Sequence, residues 1–143
     1  MESVEMSIEV DAPIEKVYDQ WTQFEEFPEF MEGVEEVQRL DDKHLRWVAE
    51  IGGRKKEWEA EIYEQVPKRR IAWRSTSGTR NARTVDLLRK DSAHTRVTLK
   101  MDYEPEGTWE RSGDALGVVS QRVEGDLERF REFIRAREAE IGS

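Results

Sequence analysis

The sequence predicts an α+β fold: a seven-stranded antiparallel sheet, two short helices between its first and second strands, and a long C-terminal helix laid on one face. Three observations carry this. Successive segments alternate apolar with polar residues, giving each one face to bury and one to wet. Turn formers interrupt the chain at intervals too short for crossover helices, which leaves hairpins as the connections. The final stretch switches from a period of two to a helical period.

The elements follow in order. Val4, Met6, Ile8 and Val10 alternate with Ser3, Glu5, Ser7 and Glu9, a strand with one buried face. Asp11 reads as the cap of the next helix, with Pro13 in the first turn, where a missing N–H costs nothing, and Ile14, Val17, Tyr18 and Trp21 as the apolar face. A second short helix or turn carries Phe24, Phe27, Phe30 and Met31 around Pro28 and ends at Gly33, unusually aromatic for a connection. From Val34 the chain reads as a meander, with strands near 34–40, 44–51, 54–66, 69–76, 82–90 and 94–103. Asp41-Asp42, Gly52-Gly53, Pro67-Lys68, Ser77-Gly78 and Asp91-Ser92 supply the turns. Pro105, Glu106 and Gly107 end the pattern, and a helix spans about 109–140. Leu116, Val119, Val123, Leu127, Phe130 and Ile134 fall within an arc of roughly 80° on it. Gly113, Gly117 and Gly125 in that helix each cost about 1 kcal/mol relative to alanine, which asks for a reason such as room for a ligand.

Composition bounds the function. A chain of 143 residues without a Pro/Gly/Ser-rich divide suits one domain, 1–143. A net charge of -9 and a pI near 4.9 set it against phosphate backbones and anionic bilayers, so nucleic acid is not an expected partner. The basic runs Arg54-Lys55-Lys56 and Lys68-Arg69-Arg70 fall at hairpin ends and read as solvated. With no cysteine, disulfides, thiolate metal sites and a cysteine nucleophile are excluded. The acidic amino terminus lacks the apolar core of a signal peptide, and no run approaches the roughly 18–20 apolar residues of a membrane span. The expectation is a soluble cytoplasmic protein without stable membrane insertion.

Trp47, Trp58 and Trp73 sit mid-strand in the apolar rows Leu45-Trp47-Ala49-Ile51, Trp58-Ala60-Ile62 and Ile71-Trp73. On neighbouring antiparallel strands these rows share one face and build an aromatic wall, which either packs as core or lines a cavity for an apolar molecule. Catalytic constellations are absent. His44 and His94 lie near turns without zinc-ligand spacing, no nucleophile elbow, phosphate loop or dinucleotide fingerprint occurs, and Glu57, Glu59 and Glu61 alternate onto the wet face. No catalytic residue, metal or cofactor is therefore assigned.

What remains is an apolar interior with a few polar groups. Ser75 continues the Ile71-Trp73 row, Arg89 the Val85-Leu87 row and Tyr103 the Val97-Leu99-Met101 row; each either orients a ligand or ends its strand in water. Trp21, Phe27, Phe30, Trp47, Trp58, Trp73, Met101, Leu116 and Val119 either interlock as core or line the pocket with them. Trp109, beside Gly107, stands at the pocket mouth or staples the helix start.

Val10 to Tyr18, Trp21 to Pro28, Thr95 to Leu99, Tyr103 to Gly107 and Gly125 to Ile134 together resemble the polyketide cyclase/dehydrase group of the START-like (SRPBCC, Bet v 1-like) superfamily, across nearly the whole chain. The resemblance implies the helix-grip fold, a curved sheet wrapped around the last helix with a cavity between them. It also implies a menu of roles, since that superfamily holds lipid carriers, aromatase/cyclases and quinone-binding chaperones. The leading expectation is a non-enzymatic binder of a hydrophobic small molecule: a lipid, isoprenoid or polyketide-like compound. The alternatives are an aromatase/cyclase-type enzyme, for which Arg89 and Tyr103 match the expected pocket arginine and tyrosine by alternation, and a quinone or lipid chaperone whose acidic surface meets a basic protein partner.

Overall fold

The computed structural model describes residues 2–51, 53–78, 80–103 and 113–142. Strand β1 (Glu2–Val10) leads through helix α1 (Ile14–Trp21) and a 3-10 helix (Phe24–Glu29) into the meander β2 (Val34–Arg39), β3 (His44–Ile51), β4 (Arg54–Val66), β5 (Arg70–Gly78), β6 (Asn81–Arg89) and β7 (Thr95–Tyr103), and helix α2 (Gly113–Gly142) follows. The sheet runs β1-β7-β6-β5-β4-β3-β2, antiparallel throughout. Only β1 is out of sequence. It pairs with β7 from Glu2↔Tyr103 to Val10↔Thr95, so the first and last strands meet and the sheet wraps α2 in the helix-grip arrangement.

Asp11 is not the cap of α1. Pro13 occupies that position in extended conformation, its carbonyl accepts the N–H groups of Lys16 and Val17, and no side chain caps the helix. Asp11 lies two residues before the cap position, and a side chain caps only from that position, where its oxygen reaches the free N–H groups of the first turn. Asp11 faces outward and accepts a hydrogen bond from Arg135 at 3.2 Å.

The outer sheet face carries the charge. Cross-strand pairs such as Arg46 with Glu57, Arg74 with Glu61, and Arg70 with both Glu64 and Asp86 lie in water, where each is worth about 0–1 kcal/mol and mainly fixes register and solubility. The inner face carries the core. Val123, Leu127, Phe130 and Ile134 of α2 are buried against it and Val119 is partly buried, as the helical arc predicts.

A polar clamp holds α2 to the segment between the 3-10 helix and β2. Arg122, Asp126 and Arg129, spaced i, i+4 and i+7, flank the apolar stripe. Arg122 Nη1 donates to the carbonyls of Glu32 (3.0 Å) and Glu50 (3.2 Å). Arg129 Nε donates to the Phe30 carbonyl at 3.0 Å, and the Asp126 carboxylate accepts from Arg129 Nη2 at 2.6 Å and from the Glu32 N–H at 3.1 Å. Gly125 now has a structural reason: a Cβ there would lie 2.9 Å from Arg129 Nη1, so its absence lets the guanidinium fold back over the helix.

Candidate functional site

The aromatic wall is in large part filled by protein. Trp47 stacks on Trp58 (5.7 Å between centroids, 10°) and on Trp73 (5.9 Å, 17°), as adjacent inward rows require. Phe27 meets Trp47 and Trp73 at 5.7 Å each, and Trp21 closes on Phe27, Phe30 and Phe130. Trp21, Phe27, Phe30, Trp47 and Trp73 are all fully buried. The aromatic connection noted in the sequence is thus the plug over one half of the sheet: a 3-10 helix too short to bury an apolar face of its own inserts its rings into the wall. The indole N–H groups of Trp21, Trp47, Trp58 and Trp73 are buried without a hydrogen-bond acceptor among the described residues.

Beside this block, the inner face turns polar. The inward row of β6 is Asn81, Arg83, Val85 and Leu87, all buried. Arg83 lies between Trp73 on β5 and Met101 on β7, and Asn81 pairs with Tyr103. The Asn81 N–H donates to Ser75 Oγ at 3.0 Å, which joins the half-buried Ser75 to the group. Met101 and Tyr103 are buried, and Trp58 borders the zone from β4, where it pairs with Gly78.

Of the orienting groups expected from sequence, Ser75 and Tyr103 come together here. Arg89 does not: it pairs with Thr95 at the far end of β6 and is exposed, because the inner row runs beyond the part of the sheet that the helices cover. Trp109 lies outside the described residues, as does the side chain of Leu116. Sequence reasoning missed Asn81 and Arg83, although the signal was present. The row Val85-Leu87 read backwards reaches Arg83 at the same parity, but a charged side chain is assigned by default to the wet face.

Arg83 is 4% exposed. Its Nη1 contacts Met31 Sδ at 3.4 Å, its guanidinium carbon lies 5.4 Å from the Trp47 ring centroid, and its Nε has no partner. Burial depresses its pKa from the ordinary guanidinium value, the Asp126 carboxylate counteracts that and Arg122 adds to it; an arginine nonetheless stays charged. Asp126, 2% exposed, has its carboxyl pushed up by desolvation, which Arg83, Arg129 and the Glu32 N–H only partly offset.

The raised Asp126 carboxyl gives a testable pH dependence. A folded-state pKa above the unfolded value means a contribution to stability that is complete below about 3.9 and is lost as pH rises through the folded value. Asp126→Asn removes that loss, so its stability relative to the parent should improve from about pH 4 upward. Urea midpoints across a pH series check this. A difference that stays constant with pH would contradict it.

The histidines stand apart from the site. In both the β2–β3 and β6–β7 turns an aspartate accepts a backbone N–H two residues on and the ring Nδ1 of a histidine three residues on, at 2.8 Å each: Asp41 with Lys43 and His44, Asp91 with Ala93 and His94. These are Asx turns with a histidine latch. The Asp91 hydrogen bond and charge, with Asp11 behind them, raise the His94 pKa above 6.5. Its contribution to stability is therefore present below the unfolded value and fades as pH rises through the folded one. An NMR titration should place the His94 midpoint above 6.5, and Asp91→Asn should lower it. Among the described residues no group of His, Asp and Glu is arranged to hold a metal, and no helix is long and apolar enough to cross a membrane.

Comparison with known proteins sets this geometry in a family. A family model for polyketide cyclase / dehydrase and lipid transport matches residues 10–132. A 17.2 kDa protein encoded in the melC2-rnhH intergenic region of Streptomyces lincolnensis is 46% identical, with 99% of this chain and 95% of that protein covered. Among solved structures, a Deinococcus radiodurans protein is 28% identical with a TM-score of 0.73, covering 99% of this chain and 100% of its own. The Zhui aromatase/cyclase of Streptomyces sp. R1128 shares the fold at 17% identity, with a TM-score of 0.80 and coverage of 95% and 94%. The motifs at both ends of the chain, the helix-grip topology and a family match along most of the sequence agree: the chain belongs to the polyketide cyclase/dehydrase and lipid transport family.

Proposed function

We propose that this protein binds a hydrophobic small molecule on the inner face of the sheet, at the end bounded by Trp58, Ser75, Asn81, Arg83, Met101, Tyr103 and Val119. One observation carries the reading: two buried polar side chains of β6, Asn81 and Arg83, lie together with Ser75 and Tyr103 on one end of an otherwise apolar inner face. Interiors that serve packing alone avoid such groups, whereas ligand sites set a small number of them into an apolar lining to orient what they hold. Family membership supports the same reading. The aromatic block beside the zone is a rigid wall, so the ligand is read along the polar half.

The test is native mass spectrometry of the purified protein beside an analysis of its organic extract, followed by titration of the released compound while tryptophan emission is recorded. A stoichiometric apolar adduct that changes the emission is the expected result. A bare protein mass, together with unchanged emission across a panel of lipids and aromatic polyols, would overturn the reading.

A second reading, catalysis on the bound molecule, is favoured by family membership, with Asp126, a buried carboxyl on α2, as the candidate proton-transfer group. Conversion of the bound compound on incubation, abolished in Asp126→Asn, would separate an enzyme from a carrier.

A further inference from the structure

Arginine is always charged and carries five N–H donors, so a buried arginine is normally met by carboxylates or carbonyls. The guanidiniums of Arg83 and of the half-exposed clamp residues Arg122 and Arg129 are served very unequally. Arg129 has the carboxylates of Asp126 and Glu32 and the Phe30 carbonyl. Arg122 has the carbonyls of Glu32 and Glu50. Arg83, the most deeply buried, has no oxygen acceptor among the described residues; a thioether sulfur and an indole face are what it touches. Sulfur is a weak acceptor, and a cation–π contact leaves the in-plane N–H groups unsatisfied. Asp126 attracts Arg83 from beyond ion-pair distance, but both of its hydrogen bonds among the described residues fall on Oδ1 and are committed to the clamp. In a chain of net charge -9, an underserved cation is thus held inside the grip beside an apolar lining.

We propose that the site takes a hydrophobic acid: the apolar body of the ligand lies along Trp58, Met101 and Val119, and its ionised oxygen is received by the guanidinium of Arg83. A carboxylate matches that fork with two parallel hydrogen bonds, strengthened by the dry surroundings. The inference rests on the ligand-binding reading above and adds the ligand's chemical class. Apolar lining alone selects for size and shape; Arg83 selects against the uncharged ester or alcohol of the same size, which leaves the guanidinium unsatisfied.

The experiment compares matched probes on the intact protein: hexadecanoate against methyl hexadecanoate, and 1-pyrenebutanoate against its methyl ester, at neutral pH and below micelle-forming concentrations. Binding is followed by tryptophan and pyrene emission. The acid of at least one pair should bind about tenfold or more tighter than its ester, as a charge-assisted contact in a dry site implies. In Arg83→Met the pair should converge to within about twofold, with ester affinity retained. Replacing a buried charge by an apolar chain of similar length is commonly neutral or stabilising, so the unliganded variant should melt at or above the parent temperature.

Equal binding of acid and ester by the parent protein would overturn the inference while leaving the ligand-binding reading intact, and that comparison needs no variant. An acid preference that survives Arg83→Met would also overturn it. So would a lowered melting temperature with unchanged selectivity, which would make Arg83 a packing residue. Binding of neither member of either pair would sink both readings.

Discussion

Trp73→Ala is expected to cost about 3–5 kcal/mol of stability. Trp73 sits on β5, the central strand of the seven in sheet order, and is fully buried. It is touched from above by Phe24 (6.0 Å) and Phe27 (5.7 Å), and along the sheet by Trp47 (5.9 Å). Removing it takes away one wall of the slot into which the 3-10 helix inserts. That helix spans Phe24–Glu29, too few residues to hold its shape without the contact, so the void has little means of collapsing. Trp73→Phe keeps a ring between Phe27 and Trp47 and should cost about 1–2 kcal/mol. Leu88→Ala, at 56% exposure, should change stability by no more than about 0.5 kcal/mol. Urea midpoints at a common slope measure all three. A loss below about 1 kcal/mol for Trp73→Ala would show that the aromatic block is not the folding core.

The fold was legible because its determinants are local and repeated. Period-two rows broken by two-residue turns dictate hairpins, and the six meander strands appear within about two residues of their expected bounds. The terminal helix announced itself by its stripe, and Val123, Leu127, Phe130 and Ile134 are buried as that stripe requires. The cap of α1 was misread because Asp11 and Pro13 are both good N-terminal residues; which one occupies the cap is settled by where the chain leaves β1, and sequence spacing does not contain that.

The candidate site was half legible. Alternation placed Ser75 and Tyr103 on the inner face, where they lie beside Asn81, but alternation says which face a residue takes and not how far along the strand the cover extends. Arg89 and Arg83 share a parity, yet one is in water and the other is 4% exposed. Only the positions of α2 and the 3-10 helix over the sheet decide between them. Likewise, the aromatic wall was visible as a surface, but whether protein or ligand would cover it depended on where Phe24, Phe27 and Phe30 swing after α1, a tertiary question. The clamp formed by Arg122, Asp126 and Arg129 was readable in principle from its i, i+4, i+7 spacing beside the stripe.

Gly33→Ala should cost about 2–4 kcal/mol, and the reason ties the turn to the site. Gly33 has φ +82°, a conformation costing a non-glycine residue about 1–3 kcal/mol. Its carbonyl accepts the Glu50 N–H at 2.7 Å, so the strained shape cannot be relaxed without unpairing β3. A Cβ would also overlap Arg122 Nη1 and fall 2.7 Å from the Glu50 carbonyl oxygen. The arginine end can swing away, but only by giving up its hydrogen bonds to the Glu32 and Glu50 carbonyls, about 1 kcal/mol each; the carbonyl is sheet backbone and cannot move. Gly53 separates the two effects: its φ is +79°, but nothing lies within 4 Å of an added Cβ. Gly53→Ala should therefore show the conformational cost alone, about 1–3 kcal/mol. In an Arg122→Ala background, Gly33→Ala should cost about 2 kcal/mol less than in the parent, since the two bonds it would break are already gone. Equal costs at Gly33 and Gly53 would mean that Arg122 does not clamp α2 to this turn. Arg122 lies one turn from Val119, which packs against the core, so displacing it loosens that part of α2 and Gly33→Ala should weaken ligand binding as well as stability.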